Sequence, residues 1–212
     1  FRPNRPAVTG CAESINLLQE HTDARVHLAV PQASLELPLR GAHQLKNASA
    51  ACTLLDALNI DYELSVLKSL QQYGKMEQCG QVWLDTAHNP HALSASLQVL
   101  REVMLEHAGD WVVGFGAMVD KDVKEMAALI LELSLPVYLI EPVYPRRMPL
   151  KELASFFDEA TILGQGSVTQ FLNVRQENLH YFVVGSSFLV GEVLAGIRDI
   201  PYPECGILNA AR

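Results

Sequence analysis

Hydrophobic spacing along the chain changes character near residue 75. Before that point Val26, Leu28 and Val30 alternate with other residues, and Leu35, Leu37 and Leu39 do the same. Pro31-Gln32-Ala33 lies between the two runs. A period of two on both sides predicts two strands within 24–39, joined by a turn. Two helices are predicted to follow, over 44–58 and 62–73, with Asp61 as N-cap of the second. Beyond residue 80 the rhythm becomes strand, helix, strand, helix. Strands are predicted over 81–85, 111–115, 136–140, 160–163 and 180–184. Helices are predicted over 90–107, 121–133, 150–158, 168–176 and 187–198. In the first of these helices Leu93, Leu97, Leu100 and Met104 recur at helical spacing on one face.

Such alternation predicts an α/β fold: a mostly parallel sheet flanked by helices, with right-handed crossovers. Ligands in this architecture bind where the strands end at their carboxyl side. Chemistry is therefore expected in the loops after Asp85, Gly116, Ile140 and Gly185. The segment 200–212 carries two prolines and little periodicity, and is expected to be poorly ordered or loosely packed.

Apolar residues make up 49% of the 212 positions and charged residues 19%, enough to build a core and to exclude a disordered chain. Lys and Arg number 16 against 24 Asp and Glu, a net charge of −8. That balance argues against duplex nucleic acid or an anionic membrane as partner, because both reward cations. No apolar run approaches the ~20 residues of a bilayer span. The basic opening, Phe1-Arg2-Pro3-Asn4-Arg5-Pro6, leads into no long apolar stretch and does not read as a secretory signal. The start without Met leads us to expect a piece of a longer protein. Cys11, Cys52, Cys79 and Cys205 form no CxxC pair and no metal-ligand spacing, so reduced cytoplasmic thiols are expected.

The strand-end loops hold the candidate chemistry. Leu84-Asp85-Thr86-Ala87-His88-Asn89-Pro90 puts a carboxylate, an imidazole and an amide at a strand-to-helix turn. Asn89 can cap the helix and Pro90 can open it. Asp85 is suited to ribose hydroxyls, and His88 to an anion or a proton; capping and turn formation alone is the plainer alternative. In Gly114-Phe115-Gly116-Ala117-Met118-Val119-Asp120-Lys121-Asp122 the two glycines are an incomplete phosphate-loop signal. Asp120 is read there as an N-cap, Asp122 as favourable to the helix dipole, and Lys121 as a partner for phosphate or carboxylate. Val184-Gly185-Ser186-Ser187 offers a close backbone approach, a cap and a carboxylate cradle. No GxSxG surrounds the serines, which argues against a serine hydrolase. Upstream, Asn47 sits one turn into an alanine-rich helix, where its amide can pair with an adenine edge or simply face water. The other histidines share no metal spacing.

Taken in order, Gly41-Ala42-His43-Gln44 with Asn47-Ala48, the Gly74-Lys75 turn, Asp85-Thr86-Ala87-His88-Asn89-Pro90, Asp120-Lys121-Asp122 and Gly185-Ser186 resemble the folylpolyglutamate synthase family. That family includes the bifunctional dihydrofolate synthases and belongs to the Mur ligase superfamily. The resemblance covers about 36–199. It implies a C-terminal remnant of a central ATPase domain over 1–73 and a Rossmann-like C-terminal Mur ligase domain over 74–212. It also implies ATP-dependent amide formation: a folate-type carboxylate takes the γ-phosphate, and the amine of L-glutamate displaces phosphate from the acyl phosphate.

Carried over residue by residue, Asn47, Lys75 and Asp85 are expected to meet ATP. His88 is expected to act near the phosphates and incoming glutamate as the catalytic residue, and Ser186 to line the glutamate pocket. ATP and Mg2+ are the implied cofactors, with the metal ligands in a part of the family enzyme that this sequence lacks. L-glutamate and folate or dihydropteroate are the implied partners, in a cytoplasmic monomer with no nucleic acid and no membrane. No GxxxxGK[ST] occurs in the sequence, so the chain is expected not to ligate alone. Where the family shows Pro-Gly-Arg, this chain has Tyr73-Gly74-Lys75, which keeps the charge and loses the planar fork. Two alternatives stand beside this reading: a Mur-type peptidoglycan ligase domain, and a non-catalytic nucleotide-binding or interaction module.

Overall fold

The computed structural model describes residues 5–23, 25–30, 35–70 and 72–202. The chain divides into two compact units, Phe1–Gln71 and Gln72–Arg212.

In the first unit β1 (Ala7–Thr9) is followed by α1 (Ser14–Glu20), β2 (Val26–Leu28) and α2 (Ala42–Ala57). β1 and β2 pair in parallel, Ala7 opposite Val26 and Thr9 opposite Leu28. The expected hairpin over 24–39 is corrected here. Its turn, Pro31-Gln32-Ala33, lies outside the described residues, β2 pairs with β1, and Leu35 to Leu39 forms no strand. The facing survives without the ladder: Leu35 is buried, Leu37 and Leu39 are half-buried, and Glu36 and Pro38 are exposed. Pro38 has no N–H to give a ladder. The expected helix over 62–73 is a short 3₁₀ turn, Leu64–Ser69, none of whose residues is buried. A helix with no face to bury gains little from packing, and packing supplies most helical stability. Its flanking residue is Glu63 in extended backbone, not Asp61.

The second unit is a six-stranded sheet. In chain order its elements are β3 (Lys75–Cys79), β4 (Val82–Asp85), α3 (Pro90–Glu106), β5 (Asp110–Phe115), α4 (Val123–Leu131), β6 (Val137–Glu141), α5 (Leu150–Ala154), β7 (Ile162–Ser167), α6 (Val168–Val174), β8 (Leu179–Val184) and α7 (Ser187–Ile197). The strand order is β3-β4-β8-β5-β6-β7. Only β3 runs antiparallel, joined to β4 by the two-residue turn Gly80-Gln81, with Gly80 at φ +62.

Alternation along the strands divides the core in two. Trp83, Val113, Phe115, Leu139 and Phe182 pack with Leu93, Leu97 and Leu100 of α3, Met126 and Ile130 of α4, and Leu153 of α5. Leu84, Val112, Ile140, Tyr181 and Val183 pack with Phe171 of α6 and Leu189, Val190 and Val193 of α7. Helices thus cover both faces, as the apolar content of the strands requires. β3 was absent from the sequence reading, and α5 is shorter than expected. The described part of the tail is docked: Ile200 N–H donates to Ala195 O at 3.0 Å, and the Tyr202 hydroxyl donates to Phe188 O at 3.1 Å. No described helix is long and apolar enough to cross a membrane.

Candidate functional site

The carboxyl ends of β4, β8, β5 and β6 line one edge of the sheet, and their loops interlock there. Asp85 closes β4 and is 2% exposed. Its Oδ1 accepts from Ala87 N–H at 2.8 Å and from the Ser96 hydroxyl of α3 at 2.9 Å. Its Oδ2 accepts from Met76 N–H at 3.1 Å. The carboxylate is thus enclosed by three donors of its own chain. Thr86 N–H donates to Gly74 O at 2.8 Å, and Gly185 N–H to Ala87 O at 3.0 Å. These two bonds tie the loop after β4 to the entrance of β3 and to the exit of β8.

His88 stands exposed on that loop, its Nδ1 2.9 Å from Thr86 O. A carbonyl only accepts, so Nδ1 carries the proton, and in the neutral form of the ring Nε2 is the acceptor. Asn89 takes the N-cap of α3 and accepts from Ala92 N–H at 2.8 Å; Pro90 fills the first turn. Lys75 lies opposite Asp85 in the β3–β4 ladder. It is half-buried and has no ion-pair partner among the described residues. Ser186 is 1% exposed and caps α7, accepting from Phe188 N–H at 3.1 Å.

Glycine is required at two places along this edge. A Cβ on Gly116 would run into the Ile140 carbonyl. Gly185, at φ +117, would put one 2.6 Å from Gly116 O and 2.8 Å from the Phe115 ring. The loops after β5 and β6 are stitched by Val119 N–H to Arg146 O (3.0 Å) and Met148 N–H to Ala117 O (2.9 Å). Asp122, not Asp120, caps α4, accepting from Glu125 N–H at 3.1 Å. Asp120 instead pairs with Lys121 at 3.0 Å and with Arg146 at 3.4 Å. Those contacts, the Lys121 hydrogen bond foremost, hold the Asp120 carboxyl below its usual range.

The structure therefore gathers Lys75, Asp85, His88 and Ser186 at one end of the second unit. Asn47 belongs to the first unit, exposed on α2, where its amide donates to Gln44 Oε1 at 3.3 Å. Sequence reasoning missed Ser96 and Met76, which hold Asp85, and the pair Arg146-Arg147 beyond β6. Arg147 pairs with Glu141 at 2.6 Å, and Arg146 lies over the Tyr144 ring. Two adjacent arginines just past a strand end were a legible signal; Ser96, eleven residues from Asp85, offered none. No group of three His, Cys, Asp or Glu able to hold a metal occurs among the described residues.

Residues 70–181, more than half of the chain, match the family described as "Mur ligase, glutamate ligase domain". The chain belongs to the Mur ligase family. Two curated relatives of this Mur ligase domain carry different names. A probable bifunctional folylpolyglutamate synthase/dihydropteroate synthase of Halobacterium salinarum is 34% identical over 161 residues, 70% of this chain and 18% of the relative. A UDP-N-acetylmuramoyl-L-alanyl-D-glutamate–2,6-diaminopimelate ligase of Zymomonas mobilis is 34% identical over 130 residues, 52% of this chain and 25% of the relative.

Among solved structures, a Mycobacterium tuberculosis folylpolyglutamate synthase complexed with ADP and AMPPCP superposes with a TM-score of 0.76 at 19% identity. It covers 94% of this chain and 58% of the solved one, and at that identity it speaks for the fold. The Mur ligase domain described here thus spans a quarter or less of the curated relatives' length.

Proposed function

We propose that this chain is the C-terminal part of an ATP-dependent ligase that joins L-glutamate to dihydropteroate or a folate through an acyl phosphate, and that it is inactive alone. The observation that carries the reading is the strand-end group of Lys75, His88 and Ser186 in a chain of the Mur ligase family, whose Halobacterium relative bears a folylpolyglutamate synthase name. Lys75 supplies a half-buried cation without a carboxylate partner among the described residues, suited to phosphate oxygens as charge builds on them. His88 presents a free Nε2 that can take a proton from the incoming ammonium, freeing the amine to attack the acyl phosphate. The capped start of α7 at Ser186 offers a polar end suited to a glutamate carboxylate. Asn47 carries an amide suited to a nucleotide base, and Asp85 serves the nucleotide from beneath, through the loop it organises. Mg2+ would neutralise the phosphates when bound, held by residues outside this chain.

Kinetics of the ligase that contains this chain test the proposal. Lys75→Ala raises the KM for ATP by about tenfold, the loss of roughly one charge-assisted contact. His88→Ala lowers kcat by about 10² or more, as loss of a positioned base does. An unchanged ATP dependence in the first variant sinks the Lys75 assignment. A peptidoglycan ligase is the second reading, favoured by the Zymomonas relative at equal identity. Turnover with diaminopimelate in place of L-glutamate would decide for it.

A further inference from the structure

We propose that Ser96 is a positioning residue of the strand-end site: by fixing the Asp85 carboxylate it holds the Met76 bulge that aims Lys75. This rests on the reading of Lys75 as a phosphate-binding residue.

Met76 is the extra residue of a bulge, since the ladder steps from Lys75 opposite Asp85 to Glu77 opposite Leu84. Its backbone sits at φ +49, a region that an L side chain enters at a cost of about 1 kcal/mol or more. Its side chain is 5% exposed, buried in the core under α3, while Lys75 and Glu77 are both half-buried. Slipping a strand by one residue moves each side chain to the other face, so the bulge decides where Lys75 points. The bulge N–H has left the ladder and donates to Asp85 Oδ2 at 3.1 Å. An ionised acceptor makes that bond strong enough to offset the backbone strain.

Asp85 can grip Met76 only if its own plane is fixed. Ala87 N–H at 2.8 Å and Ser96 Oγ at 2.9 Å, both on Oδ1, fix it. Ser96 comes from the second turn of α3 and is 3% exposed, out of reach of a ligand. Its hydroxyl also lies 3.1 Å from Ala92 O, and its single proton favours the shorter, charged partner at Asp85. Glu77 steadies the other side of the bulge, accepting from Gly74 N–H at 2.7 Å and from Arg198 at 2.7 Å. Lys75 is thereby held between Gly74 and Met76, whose N–H groups are both anchored, and its side chain has no ion-pair partner among the described residues.

The test uses the 212-residue chain as parent, Ser96→Ala, Lys75→Ala and the double variant, with AMPPNP as probe in calorimetry. Ser96→Ala is expected to weaken AMPPNP binding about tenfold and to add nothing once Lys75 is gone. A purely structural hydroxyl would give losses that add in full. Amide exchange followed by NMR gives the second readout: Met76 N–H exchanges at least tenfold faster in Ser96→Ala, and faster still in Asp85→Asn. Full additivity with Lys75→Ala overturns the proposal, and so does an unchanged Met76 exchange rate. If the parent binds no AMPPNP, the phosphate-binding reading fails by itself, and Met76 exchange in Ser96→Ala decides the positioning role alone.

Discussion

Gly185 joins the last strand to the last helix where φ is +117 and the Gly116 carbonyl and Phe115 ring leave no room for a methyl group. Gly185→Ala therefore costs about 3 kcal/mol, read as a lower urea midpoint at unchanged slope. Glu192 gives a pH-dependent counterpart. Burial raises its carboxyl above the usual range, opposed by the hydrogen bond from Val143 N–H at 2.7 Å. The ionised form is the disfavoured one in the folded chain. Its contribution is complete below the ordinary glutamate value of 4.5 and is lost as pH rises through the raised value. Glu192→Gln keeps an acceptor for Val143 and has no charge to bury. Its Tm is expected to exceed the parent's at pH 7, with the gap closing below about pH 4.5; a gap that persists at pH 3 contradicts this.

At this scale the sequence was most legible where one residue has one local job. Asn89 and Ser186 cap helices as their spacing announces. Asp85 was harder, because a strand-end acid looks the same whether it meets a ligand or three donors of its own fold. Two of those donors are backbone amides, one in the bulge of β3 and one in the loop after β4, and the third lies eleven residues away on a helix.

Among elements, those with two buried faces or a wide apolar stripe were readable, and those stabilised by their partners were not. α3 and β5 declare themselves through Leu93, Leu97 and Leu100 and through Trp111 to Phe115. β3 hides because Lys75-Met76-Glu77-Gln78-Cys79 offers no apolar alternation, and its bulge breaks what period it has. Leu35 to Leu39 shows the reverse case, alternation kept and ladder absent, since facing is local and pairing needs a neighbour. Helix ends offer a direct test. Ser134 follows α4 at φ +54 and is exposed. Ser134→Gly relieves that backbone and is expected to raise stability by up to about 1 kcal/mol in thermal unfolding. Ser167→Ala removes the capping box of α6 and lowers stability by about 1 kcal/mol.

For the molecule as a whole, the division after residue 71 carries its own expectation. The second unit contains both core clusters and all six strands of the large sheet. A chain of residues 72–212 should unfold in one cooperative transition and keep the near-ultraviolet signal of Trp83 and Trp111. Loss of that signal would show that its core needs the first unit. Strand order adds a consequence in time. β8 comes last in chain order among the six strands of the sheet, yet it lies between β4 and β5 and pairs with both. Until residues 179–184 have left the ribosome, β4 and β5 have no neighbour to bridge them, and Leu84 and Val113 stand on open edges. The nascent sheet must wait for its keystone until its other five strands have been made, and that interval is when a chaperone has most to protect.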